Sequence, residues 1–153
     1  DTRRSIKEVV NTLRKAEYSS FGGYPIESAN SSSIVFFANI NEDSYRERVR
    51  YWLDGRTLYK GVTAPSGNPL QYNLNAEVTS TLARDVRNIE MNLPVFTYYD
   101  ENYPSTTTPM NSPINFTAVR VVEVTLEIER NEHTSPVPLR VSSLVHIRNL
   151  KEN

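Results

Sequence analysis

The chain has 153 residues, enough for one domain with a hydrophobic core and too few for two comfortable ones. Its formal charge of −1, from 17 Lys and Arg against 18 Asp and Glu, does not indicate the basic surface of a nucleic-acid-binding protein, so no nucleic-acid partner is expected. The sequence contains no apolar run of about 18 residues that could cross a membrane as a helix. The absence of cysteine excludes disulfides, thiolate metal sites and a cysteine nucleophile.

The first segment with a clear pattern covers residues 3–16. Five apolar residues recur there at helical spacing and predict one buried stripe: Ile6, Val9, Val10, Leu13 and Ala16. An isolated helix of this length is marginal in water, so the stripe requires a sheet to pack on. The sequence therefore predicts one α+β domain over residues 1–153. It has an N-terminal helix within residues 1–17 and a β-rich body over residues 18–153, in which the helix packs on an antiparallel sheet.

The body is predicted to consist of strands separated by long loops. Residues 19–33 and 63–75 are rich in Gly, Ser, Asn and Pro and predict loops, and residues 101–115 predict a third loop with three prolines. Strands are predicted over residues 33–40, 94–100, 117–130 and 139–150, with a turn over residues 131–138. Residues 77–88 fit a helix or a weak strand, and we favour a short strand or turn. The alternation of apolar residues changes phase near Val121–Val122, which predicts a β-bulge there.

Residues 45–62 predict a β-hairpin around Asp54-Gly55, the dipeptide that suits a two-residue type I′ turn. That turn pairs Leu53 with Arg56 and Tyr51 with Leu58. One face of the hairpin then points to the core and carries Val49, Tyr51, Leu53, Leu58 and Val62. The other face carries Arg46, Arg48, Arg50, Trp52 and Tyr59. Guanidinium groups beside aromatic rings indicate stacking, so this face is either a solvated outer surface or an interaction surface.

Residues with catalytic or metal-binding chemistry are sparse. His133 and His146 are the only histidines, and neither has a carboxylate at metal-ligand spacing. The sequence contains no phosphate-binding glycine loop and no nucleophile elbow. Asp100 and Glu101, followed by Asn102, are either calcium ligands or a solvated turn after a strand. The residues therefore predict an interaction or structural module, not an enzyme, with calcium as the one candidate cofactor.

Three stretches, in the same order along the chain, resemble bacterial type IV pilin-like proteins, in particular minor pseudopilins of the J type. The first is the helix ending in LRKA, followed by a polar loop and SIVFFANI. The second is RVRYWLDGRTLYKGVT. The third is LARDVRN with PVFTYYD, the strand AVRVVEVTLEIE and the terminal VHIRNLKEN. Together the three stretches cover most of the chain.

The resemblance implies a minor pilin or pseudopilin that assembles, without enzymatic activity, into a type IV pilus or type II secretion-like filament. It implies other pilin subunits as partners and a position at the cell surface. A hydrophobic helix, missing from this sequence, would anchor the protein in the membrane before assembly. Two alternatives stay open. One is a small-molecule-binding or enzymatic domain in which a curved sheet closes over a helix, and the other is a calcium-stabilised adhesin module.

Overall fold

The computed structural model describes residues 2–129, 138–147 and 150. Within this part of the chain, one α-helix precedes ten strands, and the fold is strand-rich and α+β as predicted. The elements are α1 Thr2–Arg14, β1 Ile26–Ala29, β2 Ser33–Ala38, β3 Glu47–Asp54, β4 Thr57–Thr63, β5 Pro65–Ser66, β6 Gln71–Tyr72, β7 Val78–Ala83, β8 Phe96–Tyr99, β9 Val121–Ile128 and β10 Leu139–His146. Short 3-10 turns occupy Leu74–Ala76 and Phe116–Ala118.

The described strands form three antiparallel sheets, so the prediction of a single sheet is wrong. The first sheet has the strand order β1-β2-β3-β4-β7, the second has the order β10-β9-β8, and β5 pairs with β6 as a small ribbon. The chain leaves the first sheet after β7 through turns in which Asp85 and Asn92 adopt φ values of 60° and 52°. Residues with short polar side chains tolerate this left-handed conformation, which allows the chain to change sheets.

Helix α1 contacts strands of both larger sheets, which the prediction of one partner sheet did not anticipate. It packs mainly on β9 and β10 and also touches β2 and β7. Ile6, Val9, Val10 and Leu13 are buried in one apolar cluster with residues of both sheets. Ala16 is buried as well, but its assignment to the helix is wrong, because the chain has left α1 by then and Ala16 bridges to Ala38 of β2.

The β3–β4 hairpin is present, but its turn lies one residue later than predicted. Asp54 pairs with Thr57, so the central residues are Gly55 and Arg56. Gly55 has a φ of 60°, and a type II′ turn requires positive φ only at its first central position. The register shifts by two residues and now pairs Leu53 with Leu58. An even shift keeps the same side chains inward, so Val49, Tyr51, Leu53 and Leu58 are buried and Val62 is half-buried.

Other predictions for the body are partly confirmed. The strands expected over residues 33–40, 94–100, 117–130 and 139–150 are present with shorter bounds, and residues 77–88 contain strand β7. The predicted bulge near Val121–Val122 is wrong, because β9 pairs without interruption with β10 and β8, and both valines are buried. The predicted loops 19–33 and 63–75 contain strand β1 and the β5–β6 ribbon. Residues 131–137 of the predicted turn lie outside the described residues.

Glu47 at the start of β3 is a buried carboxyl, only 1% exposed, and its Oε1 accepts the Ile40 N–H at 3.1 Å. Burial raises its pKa above the ordinary value of 4.5, the Ile40 N–H opposes this, and Asp43 adds to the rise. The stability that comes from protonating Glu47 is therefore present below pH 4.5 and is lost as the pH rises through the raised pKa.

The wild type should therefore lose free energy of unfolding as the pH rises from 4 to 7, and Glu47→Gln should not show this loss. The difference in stability between the two proteins should shift in favour of Glu47→Gln over this pH range. The amide cannot ionise, and its oxygen can still accept the Ile40 N–H. Urea unfolding at several pH values measures the difference, with Glu101→Gln as an exposed control. Parallel pH profiles for the wild type and Glu47→Gln would contradict the prediction.

Candidate functional site

The predicted arginine and aromatic residues lie together on the outer face of the first sheet, all of them in β3 or β4 except Arg46, which directly precedes β3. The Cζ atom of Arg50 lies 3.7 Å from the centroid of the Trp52 ring. The Trp52 and Tyr59 rings stack with centroids 5.3 Å apart and planes inclined by 24°. The stacking that the sequence indicates is therefore observed for one guanidinium group, and it forms a continuous row of Arg50, Trp52 and Tyr59.

Each arginine of this face is paired with a carboxylate that comes from a distant part of the sequence. The ion pairs are Arg46–Glu17, Arg48–Glu27 with Nη2 to Oε2 at 2.7 Å, and Arg50–Glu77 with Nη2 to Oε1 at 2.7 Å. Sequence reasoning missed all three carboxylates, because no local spacing connects them to the arginines. The pairing makes the face nearly neutral, so it does not act as a basic patch.

Gly61 of β4 makes one of these ion pairs possible. The Glu77 side chain crosses directly over Gly61 on its way to Arg50, and a Cβ atom at position 61 would overlap the carboxylate. Gly61 itself is buried. A glycine in the middle of a strand, normally unfavourable, here allows the close approach of a charged side chain.

An aromatic groove lies on the same face beside Arg48, and the sequence did not predict it. We use this name for the cavity of about 720 Å³ whose rings are Phe21, Tyr24, Phe37, Tyr72 and Phe116. The Tyr72 ring lies 5.2 Å from Phe21 and 5.1 Å from Phe37, and Tyr24 lies 6.1 Å from Phe116, all measured between centroids. The rings come from four separate segments of the chain, which is why periodicity could not reveal them.

Hydrogen bonds fix two of these rings in place. The Tyr72 hydroxyl accepts from the Ser20 N–H at 3.1 Å and donates to the Arg46 carbonyl at 2.8 Å. The Tyr24 hydroxyl donates to the Thr117 carbonyl at 2.9 Å. The polar tips of both tyrosines are therefore engaged by the protein, and the rings contribute apolar surface to the groove.

Phe21 is held on a compact turn although 52% of the residue is exposed. The Ser19 Oγ accepts from the N–H groups of Phe21 at 3.2 Å and Gly23 at 2.8 Å, and the Ser19 N–H donates to the Gly23 carbonyl at 2.9 Å. Gly22 has a φ of 82°, a conformation that glycine adopts without strain. The turn thus presents an exposed phenyl ring at the rim of the groove.

Asp100 and Glu101 lie elsewhere, at the end of β8 in the second sheet. The Asp100 Oδ1 accepts the Asn102 N–H at 2.9 Å, which is the geometry of a turn closed by its own side chain. In residues 2–129, 138–147 and 150, no group of three or more His, Cys, Asp or Glu side chains could hold a metal ion. Calcium binding at these residues stays a prediction.

His146 does not line the aromatic groove. His146 ends β10, and its ring centroid lies 6.2 Å from that of Tyr103. Tyr103 in turn lies 4.9 Å from Tyr99, whose pKa is raised by burial and by the nearby Glu123 carboxylate. His133 lies outside the described residues.

The chain was compared with protein-family models and with curated proteins, and neither comparison gives a match. Among the described helices, none has the length and apolar character needed to span a membrane.

Proposed function

We propose that this chain is the head domain of a minor pilin or pseudopilin that assembles into a type IV pilus or type II secretion-like filament and has no enzymatic role. The observation that carries the proposal is the packing of the N-terminal helix. Helix α1 buries the stripe of Ile6, Val9, Val10 and Leu13 against antiparallel strands, and the strand-rich body follows it directly in the chain. A helix followed by an antiparallel, strand-rich body is also what the resemblance to pilin-like proteins implies, although that resemblance implies one sheet and the described strands form three.

In the proposed mechanism, α1 is the lower half of a longer helix. A hydrophobic segment before Asp1 would anchor the subunit in the membrane and later pack in the filament core. The side of α1 that carries exposed Arg3, Lys7 and Asn11 lacks the apolar stripe and suits a polar environment. The head would meet neighbouring subunits or external targets through its surface, for which the Arg50–Trp52–Tyr59 row and the Asp100–Glu101 turn are candidates.

The arginines, each paired with a carboxylate, support assembly contacts of a specific kind. Arg48 is only 12% exposed in its side chain, and the Arg50 guanidinium is held between Glu77 and Trp52. Side chains that are already fixed lose little conformational entropy on binding, which favours a defined contact over a diffuse electrostatic one.

The test uses the natural full-length protein in its source organism with an epitope tag at its C-terminus. We expect the gene to encode about 20 apolar residues directly before Asp1. We also expect the tagged protein in filaments sheared from the cells, and a longer, membrane-bound form when prepilin peptidase is deleted. An exported soluble protein with the same tag serves as the control.

A gene without a hydrophobic helix directly before Asp1 would overturn the proposal. So would a tagged protein that is unaffected by loss of the peptidase and is absent from both membranes and filaments.

The alternative of a cavity between a curved sheet and the helix gains no support from the core. The space between α1 and the sheets is occupied by a contiguous cluster of apolar side chains that includes Leu13, Phe36 and Leu126. The aromatic groove lies instead on the outer face of the first sheet, where it raises a separate question of ligand binding.

A further inference from the structure

We propose that the aromatic groove binds a neutral saccharide, with one pyranose ring seated against the aromatic side chains. The volume of about 720 Å³ falls within the 300–1,000 Å³ range of small-molecule sites. The groove is open to solvent, so it can take one unit of a longer oligosaccharide. This inference concerns a ligand, and it holds whether or not the chain assembles into a filament.

The apolar surface of the groove sets the first requirement on the ligand. Five rings contribute carbon surface to the groove. The hydroxyls of Tyr24 and Tyr72 already donate hydrogen bonds to backbone carbonyls of the protein. The ring planes are steeply inclined to one another, by 71° for Phe21–Tyr72, 40° for Phe37–Tyr72 and 52° for Tyr24–Phe116. A flat heterocycle can stack in parallel on one of these rings only. A puckered pyranose has C–H bonds on both faces and can contact rings of different orientation.

The Arg48–Glu27 ion pair sets the second requirement. Arg48 bonds to Glu27 Oε2 through Nη2 at 2.7 Å, and Glu27 Oε1 lies 3.4 Å from Arg48 Nε, a distance too long for a strong hydrogen bond. The Glu27 side chain is 45% exposed, so its Oε1 can accept a hydrogen bond from a ligand. The guanidinium beside it is a donor. Adjacent hydroxyl groups of a sugar, each a donor and an acceptor, match such a pair of groups.

The charge of the groove argues against other classes of small molecule. The Arg48–Glu27 pair has no net charge, so it offers no unpaired counter-charge to either an anion or a cation. A hydrocarbon would cover the ion pair without replacing its hydrogen bonds to water, which costs free energy. A neutral ligand with hydroxyl groups at its edge and C–H groups on its faces avoids these costs.

The test titrates the protein with maltotriose, lactose and chitotriose at millimolar concentrations and follows backbone amide shifts and saturation transfer by NMR. Adenosine is the flat heterocyclic probe, and sialyllactose is the anionic counterpart of lactose. We expect at least one neutral saccharide to shift the amides of residues 19–24 and Tyr72. Failure of all three neutral saccharides, or shifts confined to a different surface, would overturn the proposal. Binding of only adenosine or only sialyllactose would also overturn it.

Two variants show whether the rings of the groove make the contact. Phe21→Ala should lower the affinity for the saccharide about fivefold to tenfold, which is the scale of one lost aromatic contact. Phe21 is 52% exposed, so its loss leaves the core intact. Tyr45→Ala is the matched control, because Tyr45 is 47% exposed and lies outside the groove lining. Equal affinities of the wild type and Phe21→Ala, or an equal loss in both variants, would refute a site at these rings.

Discussion

Replacing Asn88 with alanine is expected to destabilise the fold by about 2–4 kcal/mol, because it leaves two buried backbone groups without partners. Asn88 is fully buried in the segment between β7 and β8. Its Nδ2 donates to the Thr125 carbonyl at 2.9 Å, and its Oδ1 accepts the Glu127 N–H at 3.0 Å. The side-chain amide thus bonds to β9 as the backbone of a neighbouring strand would, and fixes the connection between the two larger sheets.

An aspartate at the same position gives a sharper test than alanine. Asn88→Asp keeps an oxygen for the Glu127 N–H but places a second oxygen against the Thr125 carbonyl. Its deficit in the free energy of unfolding should therefore shrink at acidic pH, where a protonated carboxyl can donate again. Urea unfolding at pH 4 and pH 7 measures this change, and Asn75→Asp, at an exposed position, provides the control. A loss below about 0.5 kcal/mol for Asn88→Ala, the usual range for surface changes, would contradict the role of Asn88.

Patterns over a few neighbouring residues predicted helix α1 and the inward face of the β3–β4 hairpin, because both depend on residues that are close together in the sequence. The apolar spacing in residues 3–16 predicted α1, because each stripe residue needs only the helical period to reach the same face. The inward face of the β3–β4 hairpin was predicted despite the wrong turn, because a shift of two residues preserves alternation. Strand β1 was missed because it is short and lies in a segment rich in turn-forming residues.

The candidate site could be predicted only in part, since its partners are far apart in the sequence. Arg50, Trp52 and Tyr59 were found together because two paired strands place them on one face. The carboxylates that neutralise the arginines come from residues 17, 27 and 77, and the rings of the groove come from residues 21 to 116. No local pattern encodes such contacts, because tertiary packing alone brings these segments together.

Asn88 and the arginine face share one property that bears on the stability of the head. Asn88 connects the β7–β8 segment to β9, and the arginines connect β3 and the residue before it to residues 17, 27 and 77. Such contacts contribute less to the free energy of unfolding than the apolar core does. Removing one of them is nevertheless strongly destabilising when it leaves a buried polar group without a hydrogen-bond partner. The largest losses are therefore expected where a polar side chain at one element satisfies buried groups on another.

Glu8→Ala should destabilise the fold by about 2 kcal/mol for this reason. Glu8 lies outside the apolar stripe of α1, yet its carboxylate connects α1 to the first sheet. Glu8 Oε2 accepts the Tyr51 hydroxyl at 2.6 Å, and Oε1 pairs with the Lys60 ammonium. Tyr51 is fully buried, and burial together with the Glu8 carboxylate holds the pKa of Tyr51 above its ordinary value. The alanine variant leaves this hydroxyl without its acceptor and Lys60 without its counter-charge.

A double-mutant cycle separates the Tyr51 contact from the general effect of changing the helix. Tyr51→Phe keeps the buried ring and removes only the hydroxyl, so Glu8→Ala should cost less in the Tyr51→Phe background than in the wild type. Lys7→Ala, at an exposed neighbouring position on α1, should change the free energy of unfolding by less than about 0.5 kcal/mol. Strict additivity of Glu8→Ala and Tyr51→Phe in urea unfolding would show that the hydrogen bond does not couple the helix to the sheet. The coupling matters for the proposed filament, because a force on α1 would reach both larger sheets through the apolar stripe and the first sheet also through Glu8.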